Sequence, residues 1–374
     1  MPFLERILRK SPFGKQDTFE FNLSDVLSDF SDKNQINIRF VHSLALLPKP
    51  KIAFHKSDAD GIVSAVILKI LGGKFKNSVF IPLEYQEIRH PKFGYFLKKI
   101  NWIAIVDLPP FNESKISLYA DHHLTNKKMN KQASVILFDE NSPSTALLLA
   151  DHYNKKIPKY LHLLSDLTSI TDTANYSTEP PTKTPSSFPR TREDQAWLLD
   201  DLCRTPESAE DSLKLVQDLS REEIGIFENI MYRQRISKIR TFRKKSMELG
   251  ESFDIEDVIL IVRGKEKIMT SALVHKLFVR GAKITCVLFP GKQFTGISLR
   301  VNPQIPDSEL ETYRVDFLAT DLSGGGHPRA AGGRGFSLKR TLNELVTWAQ
   351  VKQFTYQIYD LRKNLNKYVQ TNEI

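Results

Sequence analysis

Five short apolar runs, interleaved with helical patterns and ending on polar residues, fix the class of fold open to residues 49–170. Pro50-Lys-Ile-Ala-Phe54 leads into the polar stretch His55-Lys-Ser-Asp-Ala-Asp-Gly61. The apolar-periodic Ile62 to Leu71 follows, closed by Gly72-Gly73. That order is strand, polar loop, helix and glycine stop. Ser78 to Pro82 reads as a second strand, followed by a short helix from Phe93 to Lys99. Trp102 to Val106 is a third, ending on Asp107 before the breaker Leu108-Pro-Pro110. In Lys115-Ile-Ser-Leu-Tyr-Ala120 apolar and more polar residues alternate, and Asp121-His122-His123 sits at the tip. Ser134 to Phe138 is the fifth run; Pro143 to Tyr153 and Pro158 to Ile170 read as helices. Strands alternating with helices predict a mostly parallel sheet covered on both faces. Ligands of such sheets bind at the C-terminal edge of the strands.

The rest of the chain is of a different kind. Residues 177–191 are too rich in Pro, Ser and Thr for regular structure. Residues 192–250 read as helical, the last helix running from the capping-box pattern Ser220-Arg-Glu-Glu223 to Gly250. That helix carries Arg233, Arg235, Lys238, Arg240, Arg243, Lys244 and Lys245. It reads equally as a track for a phosphate backbone or as the solvated face of a connecting helix. A second α/β pattern starts near Asp254, with strands at Val258–Val262, Ile284–Phe289 and Phe294–Arg300 and a helix from Ser271 to Arg280. The most glycine-dense stretch, Leu322 to Gly333, comes next, and Leu338 to the end reads as largely helical. The expected fold class is α/β. It has an N-terminal extension (1–47), a parallel-sheet Rossmann-like domain (48–190), a helical linker (191–250), a smaller α/β domain (251–345) and a C-terminal helix (346–374).

Composition narrows the setting. A hydrophobic share of 41% argues against wholesale disorder. The longest apolar runs are far too short to cross a bilayer, so no membrane partner is expected. Met1 to Lys10 is basic and amphipathic without an apolar signal core, and reads as a surface helix. Cys203 and Cys286 lack metal spacing and read as reduced thiols of a cytoplasmic protein. The 53 Lys+Arg against 44 Asp+Glu give +9, which favours polyanionic partners, nucleic acid first.

The strand ends carry the chemistry. His55, Asp58 and Asp60 follow the first strand, Asp107 the third, and Asp121, His122 and His123 the fourth; Asp172 lies in Thr168-Ser-Ile-Thr-Asp-Thr173. Parallel strands would bring these groups to one rim. Carboxylates and imidazoles without thiolates suit a hard divalent ion, with Mn2+ or Mg2+ ahead of Zn2+. So many acids repel one another unless cations neutralise them. Two ions about 3.5–4 Å apart, sharing a bridging carboxylate, do this and are suited to phosphoryl transfer. Each piece alone has a bland reading as a turn, a helix cap or a structural histidine. His42, His90, His152, His162 and His275 are assigned to that bland class.

Asp58-Ala-Asp60-Gly61, Asp107, Asp121-His122-His123 and Asp172 resemble the four motifs of the DHH phosphoesterase superfamily. Gly324-Gly-Gly-His327 resembles the signature of its DHH-associated C-terminal domain, which sets the chain apart from the family's inorganic pyrophosphatases and exopolyphosphatases. The resemblance runs from about residue 50 to about residue 345. It implies that Asp58 and Asp172 ligate one Mn2+, Asp60 and His122 the other, with Asp107 bridging and His55 a further ligand. The family commonly has three residues between its His and first Asp; here only Lys56 and Ser57 separate His55 from Asp58. The resemblance also implies that His123 contacts the scissile phosphate or protonates the leaving oxygen, and that Asp121 orients an imidazole. Arg300, Gly324, Gly325, Gly326, His327 and Arg329 would bind substrate, the glycines letting backbone N–H groups approach an anion.

The function this implies is metal-dependent release of mononucleotides from single-stranded nucleic acid or short oligonucleotides by two-metal hydrolysis. Members of the family include RecJ-like exonucleases and nano-RNases. Others act on small nucleotides, so hydrolysis of a cyclic dinucleotide or 3′-phosphoadenosine phosphate is the alternative. An inactive homologue serving as a scaffold among replication or repair proteins is an alternative of another class. The resemblance leans towards a homodimer.

Overall fold

The computed structural model describes residues 22–362 except 31, 57, 174–175, 177–178, 266–267 and 292–293. The expected surface helix at Met1 to Lys10 lies outside the described residues. The chain forms two compact units. The first takes the chain up to Glu179 together with Pro185–Ile236; the second takes Pro180–Thr184 and the chain from Ser237.

The first unit is built on β1 (Lys51–His55), β2 (Val79–Leu83), β3 (Trp102–Val106), β4 (Ile116–Asp121) and β5 (Ala133–Phe138). They form one sheet in the order β2-β1-β3-β4-β5, every pairing parallel. Its helices are α1 (Leu23–Leu27), α2 (Asp32–Ala45), α3 (Ala59–Leu71), α4 (Tyr85–Arg89), α5 (Pro91–Lys98), α6 (Thr145–Tyr153), α7 (Lys159–Asp172), α8 (Arg192–Cys203) and α9 (Ala209–Glu222). Successive strand residues serve opposite faces. Ile52, Phe54, Val106 and Leu118 pack with residues of α3 and α6 to α9, whereas Ala53, Ile81, Ile105 and Tyr119 pack with residues of α1, α2 and α5. Burial on both faces explains why β1 is apolar almost throughout rather than alternating. The strand order reverses at β1, which lies between β2 and β3. That reversal leaves a crevice at the strand tips, where open α/β sheets hold ligands.

The second unit is a six-stranded mixed sheet ordered β11-β6-β7-β8-β10-β9. Its strands are β6 (Val258–Val262), β7 (Ile284–Pro290), β8 (Thr295–Val301), β9 (Gly325–His327), β10 (Ala330–Gly335) and β11 (Tyr356–Asp360). Helices α11 (Thr270–Val279), α12 (Leu310–Tyr313), α13 (Asp316–Asp321) and α14 (Leu338–Val351) accompany them. The residues of α10 (Ile230–Glu251) are divided between the two units.

Four expectations are corrected. The helix expected from Leu338 to the end stops at Val351. Gln353 takes φ +59°, and Tyr356–Asp360 pairs as a strand with β6, placing Ile358 in the core. The capping-box pattern at Ser220 starts no helix: it lies inside α9, which ends where Glu223 adopts φ +54°. The next helix instead begins after Asn229, whose side-chain oxygen accepts from the Met231 N–H. Third, α8 and α9 bury Leu198, Leu199, Leu202, Leu215 and Val216 in the first unit's core rather than serving as a free-standing linker.

The fourth correction concerns the cationic helix. Arg233 donates to the carbonyls of Pro185 and Ser186, Arg240 to that of Lys183 and Arg243 to that of Pro181, while Arg235 pairs with Asp211. Arg240 and Arg243 are buried. These four cations hold the Pro-rich segment and α9, while Lys238, Lys244 and Lys245 of the same helix stay exposed.

The glycine-dense segment is the β9–β10 hairpin. A Cβ on Gly324 would fall 2.0 Å from the Gly332 carbonyl oxygen, and one on Gly326 2.5 Å from Ala331 Cα; Gly326 also has φ +148°. Nothing lies within 4 Å of a Cβ on Gly325. We therefore expect Gly324→Ala to destabilise the protein by about 2–3 kcal/mol and Gly325→Ala by under about 1 kcal/mol, as chemical denaturation would measure. Equal losses would contradict a packing role for Gly324.

Candidate active site

The parallel register brings the strand tips together. Phe54 stands opposite Val106 and Val106 opposite Ala120, so the next residues, His55, Asp107 and Asp121, fall in one row. All three are buried, Asp121 completely. Asp107 turns the chain with φ +54°, in the left-handed region that costs a non-glycine residue about 1 kcal/mol. Asp58 begins α3 as its N-cap, accepting from the Gly61 N–H at 3.0 Å. Asp60 reaches across to the first turn of α6, where the N–H groups of Thr145 (2.8 Å) and Ala146 (2.7 Å) donate to its two oxygens. Asp172 is the last residue of α7; sequence alone leaves it in a loop after that helix.

Two clusters result. In one, His55 Nδ1 lies 2.8 Å from Asp58 and 3.5 Å from Asp107. In the other, His122 Nε2 lies 3.2 Å from Asp172 and 3.5 Å from Asp60. Asp107 adjoins both, grouping with His55 and Asp58 and also with His122 and His123. The distances place Asp172 beside Asp60 and His122, and Asp58 beside His55, where the resemblance implies Asp58 with Asp172. The short His55–Asp58 spacing does not turn His55 away, because the strand ends on His55 and the helix starts one residue after Asp58. The nearby Asp166 is exposed and faces Arg192 at 3.9 Å, away from the cluster.

The electrostatics are those of an overloaded acidic site. Burial, with Asp107 and Asp172 close by, drives the Asp60 carboxyl well above the usual range; burial and Asp58 raise Asp107. Burial disfavours a charge on His122, but Asp172 and Asp60 outweigh it and push it up to about 10. His55 moves upward for the same reason, under Asp58, Asp107 and Glu84. Three buried atoms, His55 Nδ1, Asp107 Oδ2 and His122 Nε2, make no well-formed hydrogen bond. His122 Nδ1 sits 3.0 Å from the Ser142 carbonyl, which can only accept, so Nδ1 carries a proton and Nε2 is the ring atom that faces the carboxylates. Leaving such groups unmatched is costly, and cations at the two clusters would satisfy them. The donor set therefore fits two divalent ions.

Asp121 belongs to neither cluster. Its carboxylate accepts from His123 Nδ1 (2.8 Å), the His123 N–H, the Tyr119 hydroxyl (2.7 Å) and Asn126 Nδ2 (2.7 Å). Burial opposes its charge, yet these donors hold it below the usual carboxylate range. His123 is thereby fixed with Nε2 directed at the Tyr85 hydroxyl, 3.4 Å away. We expect Asp121→Asn to cut turnover by about 10–100-fold while leaving Mn2+ affinity unchanged, because His122 keeps its own anchor at Ser142. Comparable loss of Mn2+ affinity, measured by calorimetry, would contradict this division of labour.

Several participants escape a sequence reading. Glu84 follows the tip of β2 and lies 3.4 Å from His55 Nε2; the strand-end rule that finds Asp107 also points to it. Tyr85 packs edge-on to His55, and Thr145 Oγ1 lies 3.4 Å from Asp107. Tyr119, Asn126 and the Ser142 carbonyl carry no signal in the sequence. In the second unit, β8, β10 and β9 align Arg300, Ala330 and His327 in one row, with Arg300 and His327 exposed. Arg329 is turned elsewhere, donating to the Ile305 carbonyl and Asp307, so it secures a loop.

No family model matches the sequence, and no curated protein matches it. Solved structures do resemble it. A pGpG-specific phosphodiesterase, PggH, from Vibrio cholerae aligns over 81% of this chain and 100% of its own, with 18% identity and a TM-score of 0.55. The DHH domain of a member of a family of ribosomal proteins aligns over 95% of this chain and 97% of its own, with 13% identity and a TM-score of 0.50. RecJ from Thermus thermophilus, solved in complex with Mn2+, aligns over 94% of this chain and 58% of its own, with 12% identity and a TM-score of 0.50.

Proposed function

We propose that this chain, whose two-unit α/β fold is that of the DHH superfamily, is a divalent-metal-dependent phosphodiesterase releasing mononucleotides from single-stranded nucleic acid or short oligonucleotides. The observation that carries the reading is the convergence of His55 Nδ1, Asp107 Oδ2 and His122 Nε2, buried and without well-formed hydrogen bonds, among four aspartates. His55, Asp58 and Asp107 would hold one ion and Asp60, His122 and Asp172 the other, with Mn2+ favoured over Mg2+. Such a pair supplies activation of water and neutralisation of the phosphate oxygens. The protein's own contribution is position. The helix starts at α3 and α6 fix Asp58 and Asp60. Asp121 aims His123 Nε2, which in the protonated ring donates to a phosphate or leaving oxygen. The net charge of +9 and the similarity to RecJ support a nucleic-acid substrate. A second reading, hydrolysis of a dinucleotide, is favoured by the similarity to a pGpG-specific enzyme.

The test is a length series of labelled DNA and RNA, from dinucleotide to about thirty residues, with Mn2+, Mg2+ or EDTA. Metal-dependent release of mononucleotides supports the proposal, and a confined preference for dinucleotides selects the second reading. Absence of release from every substrate would overturn both in favour of a non-catalytic scaffold.

A further inference from the structure

The first unit carries a cavity of about 390 Å³ beside the candidate active site. Residues of α2, the start of α4, the end of α8 and the start of α9 wall it, together with Lys56. Lys56 follows His55 directly, and Glu84, also in the lining, lies 3.4 Å from His55 Nε2. The cavity therefore adjoins the cluster of His55, Asp58 and Asp107. Its volume falls within the roughly 300–1,000 Å³ of small-molecule sites. Asn34 and Asn37 reach it from α2, N-terminal to the stretch that resembles the DHH motifs, so no motif of that resemblance accounts for them.

Two buried polar side chains in the lining are donors. Asn37 is 7% exposed, and its Oδ1 accepts from the Ala209 N–H at 2.9 Å. Its NH2 group is turned the other way and donates to nothing among the described residues. Lys56 is 8% exposed and spends one of its three N–H donors on Glu87, at 2.8 Å. Leaving a buried donor unmatched is costly, so this part of the cavity calls for acceptors. At the mouth Glu207 is exposed, and its carboxylate has no partner among the described residues. The charge balance narrows the ligand further. Arg204 is tied to Asp200 and Lys56 to Glu87, each at 2.8 Å, while Glu84 and Glu207 add negative charge. No net positive charge remains to hold a phosphate, and a simple cation would meet N–H donors. The lining suits a neutral group with acceptors on one edge and donors on another.

We infer that this cavity reads the base of a substrate nucleotide, and that the base it fits is guanine. Guanine carries two acceptors, O6 and N7, on one edge and the donors N1–H and N2–H2 on the next. The acceptors meet the Asn37 amide and the Lys56 ammonium, and the donors meet the Glu207 carboxylate. Adenine and cytosine present an amino group where guanine presents O6, setting donor against donor. Uracil offers a single N–H to the carboxylate. The inference rests on the reading of the chain as a phosphodiesterase of nucleotides and deepens it. A nucleotide whose base fills the cavity has its phosphate on the side of His55, so the residue next to the cleaved bond is a guanine nucleotide.

Calorimetry with GMP, AMP, CMP and UMP, in EDTA so that no metal contributes, measures the base preference. GMP should bind about tenfold or more tightly than the other three. Asn37→Asp keeps the oxygen that accepts from Ala209, and it stands at the N-terminus of α9, where an anion is tolerated. The variant should therefore keep the wild-type melting temperature. It turns the inward donor into an acceptor, so GMP affinity should fall about tenfold or more. AMP, whose N6 amino group can donate to the new carboxylate, should not weaken. Glu207→Gln, at an exposed position, should weaken GMP several-fold. No GMP binding, equal affinity for the four nucleotides, or wild-type GMP affinity in Asn37→Asp would each overturn the guanine pocket. GMP binding that depends on Asn37, with no guanine dinucleotide cleaved in Mn2+, would leave the pocket standing and remove the proposed hydrolysis. Mn2+-dependent cleavage without base preference, unaffected by Asn37→Asp, would do the reverse.

Discussion

Asp107→Asn is expected to lower metal-dependent hydrolysis by about a thousandfold, roughly 4 kcal/mol of lost charge stabilisation. In the absence of metal it should nevertheless raise the melting temperature. Both effects have one cause. Asp107 is 1% exposed and adjoins both clusters, so its charge is needed when cations are present and repels Asp58 when they are not. Asn keeps the shape and the contact with Thr145. Relief of about 1 kcal/mol would show as a rise of about 1–2 °C for a protein of this size. Added Mn2+ should reverse the order, because it stabilises the wild type by binding the folded state. Melting curves with EDTA and with Mn2+, alongside a hydrolysis assay, measure both. Wild-type activity in the variant would sink the two-metal reading. Unchanged melting without metal would mean that the site's own imidazoles already balance its acids.

The second large effect is expected at Gly61. A Cβ there would fall 2.0 Å from the His55 carbonyl oxygen and 2.7 Å from His55 Cβ. Neither can move without shifting the end of β1 or the start of α3. Gly61→Ala should therefore cost about 3 kcal/mol or more and weaken Mn2+ binding at least tenfold, since His55 and Asp58 would both be displaced. Gly225→Ala is the control, because nothing lies within 4 Å of its added Cβ. If Gly61→Ala retained both stability and metal affinity, the close approach of α3 to β1 would be wrong, and with it the placement of His55.

Legibility in the sequence followed the range of the interactions. The strand runs of the first unit could be read because burial on both faces demands continuous apolar segments. The acids and imidazoles could be read because a parallel sheet must gather its strand tips. The C-terminal strand Tyr356–Asp360 could not, since its five residues gain their definition from pairing with β6, about a hundred positions away in the chain. The role of α10 was equally hidden. A row of arginines looks the same whether it faces phosphates or the carbonyls of Pro181, Lys183 and Pro185, and only the folded path of the Pro-rich segment separates the two.

By itself the sequence determined the α/β class, the sheet edge at which the acids and imidazoles gather and the residue types that would hold a cation there, because these depend on local periodicity and on charge. Tertiary structure alone decided the division of labour. Asp172 pairs with His122 because α7 ends beside the tip of β4, and His55 pairs with Asp58 because α3 starts against β1. Asp121 serves His123 because Tyr119 and Asn126 close round it. Each of these depends on a direction in space, and residue order along the chain carries no such direction.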